Sequence, residues 1–284
     1  MESKPSAPGI RSPRRTTRIF FWLIFLITIG LAWQWLKIYQ IRVAVFEATK
    51  LGWEWKYDDP FEVVKKDWKA FFRASTWLDG QKHLTLRTSD ELVQHQELVQ
   101  RLSPQQLKIQ DWTLADLAPL ERLSGLRELS ISSSWQLTDI TAIERHGRLK
   151  KLSLNLCTSL KNAASIKKLG DLEELNLTSD KALTDLEILE GLQRLKTLRL
   201  DGCSQIKSLR SLSSLQSLEV LWIEGCDVKD LSPLKSLSHL KYLSIGDPSR
   251  YSTQEISAIE LALPKTEISP LNKIRRPVLI TPAP

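Results

Sequence analysis

The sequence predicts an α/β solenoid, a stack of short coils that each contribute one strand to a parallel sheet. A unit of the form LxxLxLxxC starts at Leu195 and repeats 23 residues later at Leu218. A fixed period of about 20 to 50 residues is typical of stacked arrays rather than of globular folds. Inside each unit, apolar and polar residues alternate as in a strand with one buried face. In the rest of the coil an apolar residue stands at every third position, which favours turns and 3₁₀ pieces over a long α-helix.

The unit recurs on both sides of this stretch, at steps of 22 or 23 residues. Its further copies begin at Leu126, Leu149, Leu172 and Leu240, with weaker ones around Leu84 and Leu107 and a partial one ending at Ile268. We therefore expect seven or eight coils and a closing strand within residues 81–270. One coil cannot bury its own leucines, so the stability must come from stacking between neighbours.

The first coils depart from this pattern. Gln81 and Pro104 stand at leucine positions, and Trp112 stands at the ninth position of its unit, where other copies have Cys, Ser or Asp. These substitutions predict distorted coils at the start of the array.

The unit resembles the leucine-rich repeat, and Lys229–Leu234 (KDLSPL) is similar to the short, 22–23-residue internalin-type form found in bacteria. The resemblance implies a horseshoe or arc with the parallel sheet on its concave face. Short helices or 3₁₀ turns are then expected on its convex face. It also implies that the side chain at the ninth position faces inward and satisfies backbone groups of the following turn.

All three cysteines, Cys157, Cys203 and Cys226, occupy that ninth position, which indicates a structural role rather than a redox or metal-binding one. Adjacent strands lie about 4.8 Å apart, so Cys203 and Cys226 are within reach of a disulfide, and the sequence leaves that bridge open.

Residues 19–36 are uncharged and predict one transmembrane helix ahead of the solenoid, with aromatic residues at both ends. Residues 1–18 are predicted to be a disordered basic tail, and their positive charge predicts that the N-terminus lies in the cytoplasm and the repeats in the periplasm or outside. We expect a single-pass protein of a bacterial inner membrane that contacts the lipid bilayer through residues 19–36. A cleaved signal peptide is the alternative.

Residues 37–80 are interpreted as a juxtamembrane segment followed by an N-terminal helical cap. Residues 37–55 fit a helix or a strand equally well, while Asp59 and Pro60 are a good helix start. The helix that follows covers the first coil in this interpretation, and a membrane-surface helix is the alternative. Ser/Thr-x-x-Glu boxes at Thr88 and Ser252 predict true helices near both ends of the array. Residues 271–284 are a Pro-rich tail.

The charge distribution argues against a nucleic-acid partner. The chain has a formal charge of +7, but residues 81–270 carry 24 basic and 25 acidic side chains, so the array is close to neutral. A nucleic-acid groove requires a basic stripe on the folded domain. No spacing of Cys, His, Ser or Asp indicates a catalytic, cofactor or metal site, and we expect a protein that is not an enzyme.

The informative surface is the concave sheet, whose central outward column can be read coil by coil. It runs through Thr85, Lys108, Ser130, Ser153, Asn176, Arg199, Trp222 and Ser244. Trp222 is the only large aromatic residue of this column. The neighbouring columns surround it with Val220, Glu224, Asp201 and Tyr242, in addition to Arg199. A tryptophan beside Arg and Tyr is typical of interface hot spots. The alternative is that Trp222 only stacks on its neighbours and stabilises the sheet.

These patterns predict a membrane-anchored, non-catalytic scaffold that recognises a protein or peptide through its concave sheet. The six residues Trp222, Arg199, Asp201, Val220, Glu224 and Tyr242 are the predicted binding site. Two alternatives remain open. One is an envelope immunity protein that captures a toxin. The other is a carbohydrate-binding or enzymatic envelope accessory protein.

Overall fold

A computed structural model of the chain describes residues 39–56, 83–161 and 163–270, together with the helical residues 29, 30, 32, 33 and 36. The predicted basic tail, the predicted cap helix beginning near Asp59 and the Pro-rich tail lie outside the described residues, as does most of the apolar run 19–36.

The described strands form one ten-stranded sheet in chain order. They are β1 (Glu54–Lys56), β2 (His83–Leu86), β3 (Gln106–Gln110), β4 (Glu128–Ser132), β5 (Lys151–Asn155), β6 (Glu174–Asn176), β7 (Thr197–Arg199), β8 (Val220–Trp222), β9 (Tyr242–Gly246) and β10 (Glu267–Pro270). The strands from β2 to β10 are parallel, and β1 pairs antiparallel with β2 at one edge. The predicted parallel solenoid sheet is therefore confirmed.

The strand register follows the repeat period. Leu198 pairs with Leu175 on one side and with Leu221 on the other, and all three are buried. The predicted outward column from Thr85 to Ser244 is also in register from strand to strand. Successive coils thus bury one continuous core of leucines and isoleucines along the array.

The convex side consists of short 3₁₀ turns, because apolar residues spaced by three all point inward in this geometry. The turns are Ala118–Arg122, Thr141–Arg145, Ala164–Lys168, Glu187–Leu189, Arg210–Ser214 and Ser232–Ser236, with one more at Pro248–Arg250 beyond β9. In one coil Ile206, Leu209 and Leu212 are completely buried. The prediction of 3₁₀ pieces between the strands is confirmed.

True α-helices occur towards both ends of the array, at α1 (Ser89–Gln94), α2 (Gln96–Leu102) and α3 (Thr253–Ala262). The box at Ser252 is complete, with reciprocal hydrogen bonds between Ser252 and Glu255. The helix expected after Thr88 is present but interrupted, since the chain breaks at His95 into α1 and α2. The His95 ring packs edge-on against Trp53, with ring centroids 5.5 Å apart.

Residues 37–55, which fit either structure by sequence, contain both a helix and a strand. Residues 39–50 are helical, and the face with Ile41, Ala44 and Ala48 is buried. Arg101 of α2 holds the same segment through a 3.1 Å ion pair with Glu47. In the described parts of the chain, every helix is too short or too polar to cross a bilayer.

The expectation that Trp112 fills the inward ninth position is wrong. Asp111 occupies it and is 3% exposed, while Trp112 is 63% exposed. The reason is that the turn after β3 is one residue shorter than the turn after β4. Ile109 pairs with Ile131 at a step of 22 residues, whereas Asp111 lies against Ser134 at a step of 23. Asp111 accepts hydrogen bonds from the Ser89 and Thr113 amides at 2.6 and 2.8 Å, so the early coil remains well formed.

Candidate binding site on the concave sheet

In two coils the inward ninth position is hydrogen-bonded to the coil before it through a cysteine. The thiol of Cys203 donates to the carbonyl of Leu177 at 3.0 Å, and that of Cys226 donates to the carbonyl of Leu200 at 3.2 Å. Both cysteines are free, as is Cys157, and burial raises the pKa of each thiol to about 12. A thiol with a pKa of about 12 stays protonated near neutral pH and is available as a hydrogen-bond donor.

The outward faces of β2 to β8 line an open groove with a volume of about 440 Å³. Its floor is mostly small or polar, with Thr85, Ser130, Ser153 and Asn176 along the centre. Lys151 lies between two carboxylates, 3.2 Å from Glu174 and 3.8 Å from Glu128. The middle of the groove is therefore an open, mostly polar surface on which Lys151 is already paired with carboxylates.

At the β8 end of the groove, Trp222 contacts side chains of both neighbouring coils. The guanidinium of Arg199 lies 4.6 Å from the centre of the Trp222 ring. The ring of Tyr242 lies 5.6 Å away on the other side and is tilted by 51°. Trp222 nevertheless keeps part of its surface exposed to the groove. A large ring held in one orientation loses little side-chain entropy when a partner covers it.

Two carboxylates lie beside this aromatic pair at the carboxyl ends of β7 and β8. Asp201 accepts from the Arg199 guanidinium at 3.2 and 3.3 Å and from the Glu224 backbone amide at 3.3 Å. Glu224 accepts a hydrogen bond from the Ser244 hydroxyl. Burial raises the pKa of Asp201, the Arg199 charge opposes this, and the negative charge of Glu224 adds to it.

All six predicted site residues thus lie together on three adjacent strands and their ends. Val220 completes the group, opposite Tyr242 in the register between β8 and β9. The register could be read from the repeat period, whereas the hydrogen bonds of Asp201 and Glu224 could not.

Sequence reasoning missed an exposed apolar edge on the early coils. Trp112 and Trp135 are 63% and 57% exposed, and Leu156 is 38% exposed on the next coil. The Ser134 hydroxyl donates to the carbonyl of Asp111 at 2.5 Å, which places the two tryptophans that follow on adjacent coils. A shift of 23 residues between Trp112 and Trp135 was the available signal.

The histidines offer little chemistry. His83 lines the groove, while His146 is buried on the convex side. Among the described residues, no three His, Cys, Asp or Glu side chains converge in a way that could hold a metal ion. The groove is equipped for contact and hydrogen bonding.

Known proteins share this architecture. A family profile described as leucine-rich repeats, in two copies, matches residues 193–236. A search of curated proteins finds no match. Among solved structures, internalin C2 of Listeria monocytogenes is 22% identical with a TM-score of 0.51, over 66% of this chain and 80% of that one.

Two further structures are similar over a smaller share of their own length. Internalin F of Listeria monocytogenes is 24% identical with a TM-score of 0.46, over 58% of this chain and 48% of that one. A leucine-rich repeat protein of Leptospira interrogans is 20% identical with a TM-score of 0.46, over 61% of this chain and 50% of that one. The chain thus spans about half of each of these two proteins. The profile identifies leucine-rich repeats at residues 193–236, and the repeat period and the parallel register extend the same coil architecture along the described array.

Proposed function

We propose that the chain is a non-catalytic recognition module that binds a protein or peptide segment on its concave sheet, centred on Trp222. One observation carries the proposal: Trp222 packs between Arg199 and Tyr242, yet part of its surface faces the groove. Tryptophan, tyrosine and arginine are the residues most enriched among interface hot spots. Their rigid packing lowers the entropy cost of binding.

The alternative, in which Trp222 serves only the stability of the sheet, predicts a different outcome for its removal. Its contacts with Arg199 and Tyr242 are partly exposed, and such contacts stabilise a fold by only about 0.5–1 kcal/mol. A binding role predicts a loss of affinity far larger than the loss of stability.

A matched pair of tryptophan variants tests the proposal. Short random peptides are selected on the purified, immobilised full chain, and their affinities are measured for Trp222→Ala and for Trp135→Ala. Trp135 is an exposed tryptophan outside the groove lining, so it controls for loss of an aromatic surface. We expect about a tenfold loss or more for Trp222→Ala and no change for Trp135→Ala. Peptides that bind Trp222→Ala as tightly as the original chain would refute the concave site.

We further propose that residues 19–36 anchor the chain in a bacterial inner membrane, with residues 1–18 in the cytoplasm and the repeats in the periplasm. The support is the uncharged, aromatic-flanked run and its five basic residues upstream. Alkaline carbonate should leave the full chain in the membrane fraction, and protease added to spheroplasts should degrade the repeats but spare an N-terminal tag. Release of the full chain by carbonate would contradict the anchor.

A further inference from the structure

We infer that the segment bound at Trp222 presents a positively charged side chain, lysine or arginine, to Glu224 and Asp201. The inference rests on the proposed function, because it names the chemistry of the partner at the same site. It follows from an imbalance of charge beside the aromatic pair.

The charges at this end of the groove do not cancel. Arg199 supplies one positive charge and is hydrogen-bonded to Asp201. Glu224 adds a second carboxylate on the next coil, and within the described residues it forms no ion pair. The Ser244 hydroxyl, its hydrogen-bond donor, is neutral. Among the residues that the structure describes, one negative charge is therefore left without a counter-ion.

The nearby cations of the described coils are already engaged elsewhere. Lys196 lies 2.8 Å from Glu173, and Lys241 lies 2.6 Å from Glu219. These four side chains belong to the amino-terminal side of the strands, whereas Glu224 follows the carboxyl end of β8. Arg250 donates to the carbonyl of Cys226 at 2.7 Å and to Asp227 at 3.3 Å.

The aromatic pair next to this charge adds a second attraction for a cation. Arg199 already lies 4.6 Å from the centre of the Trp222 ring, which shows that the ring accepts a cation on its face. A partner's lysine or arginine can rest its apolar stem on Trp222 or Tyr242 and place its charged end at the carboxylates. Such a side chain gains both a cation–π contact and a charge-assisted hydrogen bond.

This arrangement disfavours other occupants. An acidic segment would face Glu224 and Asp201 directly, and like charges in contact oppose binding. A purely apolar segment would cover the Glu224 carboxylate and leave it without a charged partner, which is costly when water is excluded. A basic side chain beside an apolar one satisfies both halves of the patch.

The test uses the peptides selected on the full chain. We expect lysine or arginine to be enriched at one position relative to the unselected library. Binding of such a peptide should weaken by about tenfold in Glu224→Gln, since one charged contact is lost. Glu187→Gln is the matched control, because Glu187 is an exposed glutamate on a convex 3₁₀ turn and the same charge is removed there. Its affinity should equal that of the original chain.

A second measurement changes the peptide instead of the protein. Acetylation of the enriched lysine removes its charge and keeps its stem, so we expect about the same tenfold loss on the original chain and little further loss on Glu224→Gln. Peptides that need Trp222 but show no basic enrichment and bind Glu224→Gln normally would overturn the inference and leave the proposed function standing. If no selected peptide depends on Trp222, the proposed function fails, and the inference fails with it.

Discussion

One buried residue per coil, at the ninth position, connects the strand to the following turn. Cys203 and Cys226 donate a thiol hydrogen to a carbonyl oxygen of the coil before. Asp180 occupies the same place in an earlier coil and is only 1% exposed. Its carboxylate accepts from the Ala182 amide at 2.9 Å, but once ionised it has no hydrogen to donate. Burial raises the pKa of Asp180 from 3.8 to about 6.

The raised pKa predicts that Asp180→Asn stabilises the protein at neutral pH. A group whose folded pKa lies above its unfolded pKa contributes stability below about pH 3.8, and that contribution is lost as the pH rises through about 6. Asparagine stays neutral, keeps the acceptor and adds a donor. We expect a gain of about 1–3 kcal/mol in unfolding free energy at pH 7, measured by urea denaturation.

The gain should shrink towards zero as the pH falls from about 6 to about 4, because Asp180 then becomes protonated in the folded state. Asp139→Asn is a suitable control, since Asp139 is exposed and its pKa is lowered, mainly by the hydrogen bond from Thr141. An equal gain in both variants would contradict the role of burial.

The residue just before the ninth position adopts a left-handed backbone conformation in five successive coils. Its φ lies between 59° and 77° at Ser133, Leu156, Ser179, Gly202 and Gly225. Only glycine adopts this conformation without a steric penalty. The tight turn after each strand therefore favours glycine at this place, although three coils accept serine or leucine.

Gly225→Ala tests this turn. The φ of Gly225 is +72°, and an added Cβ would lie 3.4 Å from the Gly202 backbone of the previous coil. We expect a loss of about 1–2 kcal/mol in unfolding free energy. The control is Gly170→Ala, where the φ lies outside the left-handed region and an added Cβ meets nothing within 4 Å. That variant should be neutral or gain up to about 1 kcal/mol; equal effects at both sites would argue against conformational strain.

At the scale of the element, an acceptor side chain begins most convex turns. The carboxylates of Asp116, Asp139, Asp185 and Asp230 accept a hydrogen bond from the amide two residues later, at 2.8 to 3.1 Å. In one coil the hydroxyl of Ser208 takes this place, with a 3.3 Å bond from the Arg210 amide. A helix start leaves amides without backbone partners, and these side chains satisfy one of them.

Asp230→Ala should therefore destabilise the protein by about 1 kcal/mol, because the Ser232 amide loses its acceptor at 2.8 Å. Asp230→Ser, which reproduces the arrangement at Ser208, should restore most of that loss. The comparison is made by urea denaturation at pH 7. If alanine and serine behave alike, the hydrogen bond contributes little to the turn.

At the scale of the whole molecule, the array is built from contacts between neighbouring coils. Glu173 shows this in its ion pairs with Lys150 at 3.0 Å and Lys196 at 2.8 Å, each 23 residues away. Leucines of each coil bury those of the next in the same manner. Such architectures gain stability from nearest-neighbour interfaces, so one coil can be removed if the register is kept.

Deletion of residues 174–196, one whole coil of 23 residues, should leave a folded protein. Glu174 and Thr197 are in register, so the shortened chain continues with an equivalent strand position. We expect an unchanged shape of the far-UV circular dichroism spectrum and a lower unfolding midpoint, because one interface is lost. Deletion of residues 174–184 removes half a coil and should prevent folding. If both deletions unfold the chain, stability is not shared coil by coil.

Much of this arrangement could be predicted because equivalent positions of successive repeats occupy equivalent places in the fold. The period aligned Trp222 with Arg199 and Ser244, and the alternation along each strand predicted that all three face outward. Arg199 and Trp222 keep exposed surface, whereas Ser244 is fully buried, because its hydroxyl lies against Glu224 and the carbonyl of Ser269. The same logic failed at Trp112, where one missing residue in a turn shifted Asp111 into the core. The repeat period alone does not reveal such a shift when the residue that moves into the core, here Asp111, is polar.

The sequence by itself determined the coil length, the buried leucines and the column of outward residues, because each follows from spacing along the chain. Only the tertiary structure decided which charges are paired. Asp201 and Glu224 lie 23 residues apart and meet through stacking of two coils, and Arg199 is hydrogen-bonded to the first of them and not to the second. Hydrogen bonds and ion pairs depend on distances of a few ångströms and on direction, which a repeat period does not specify.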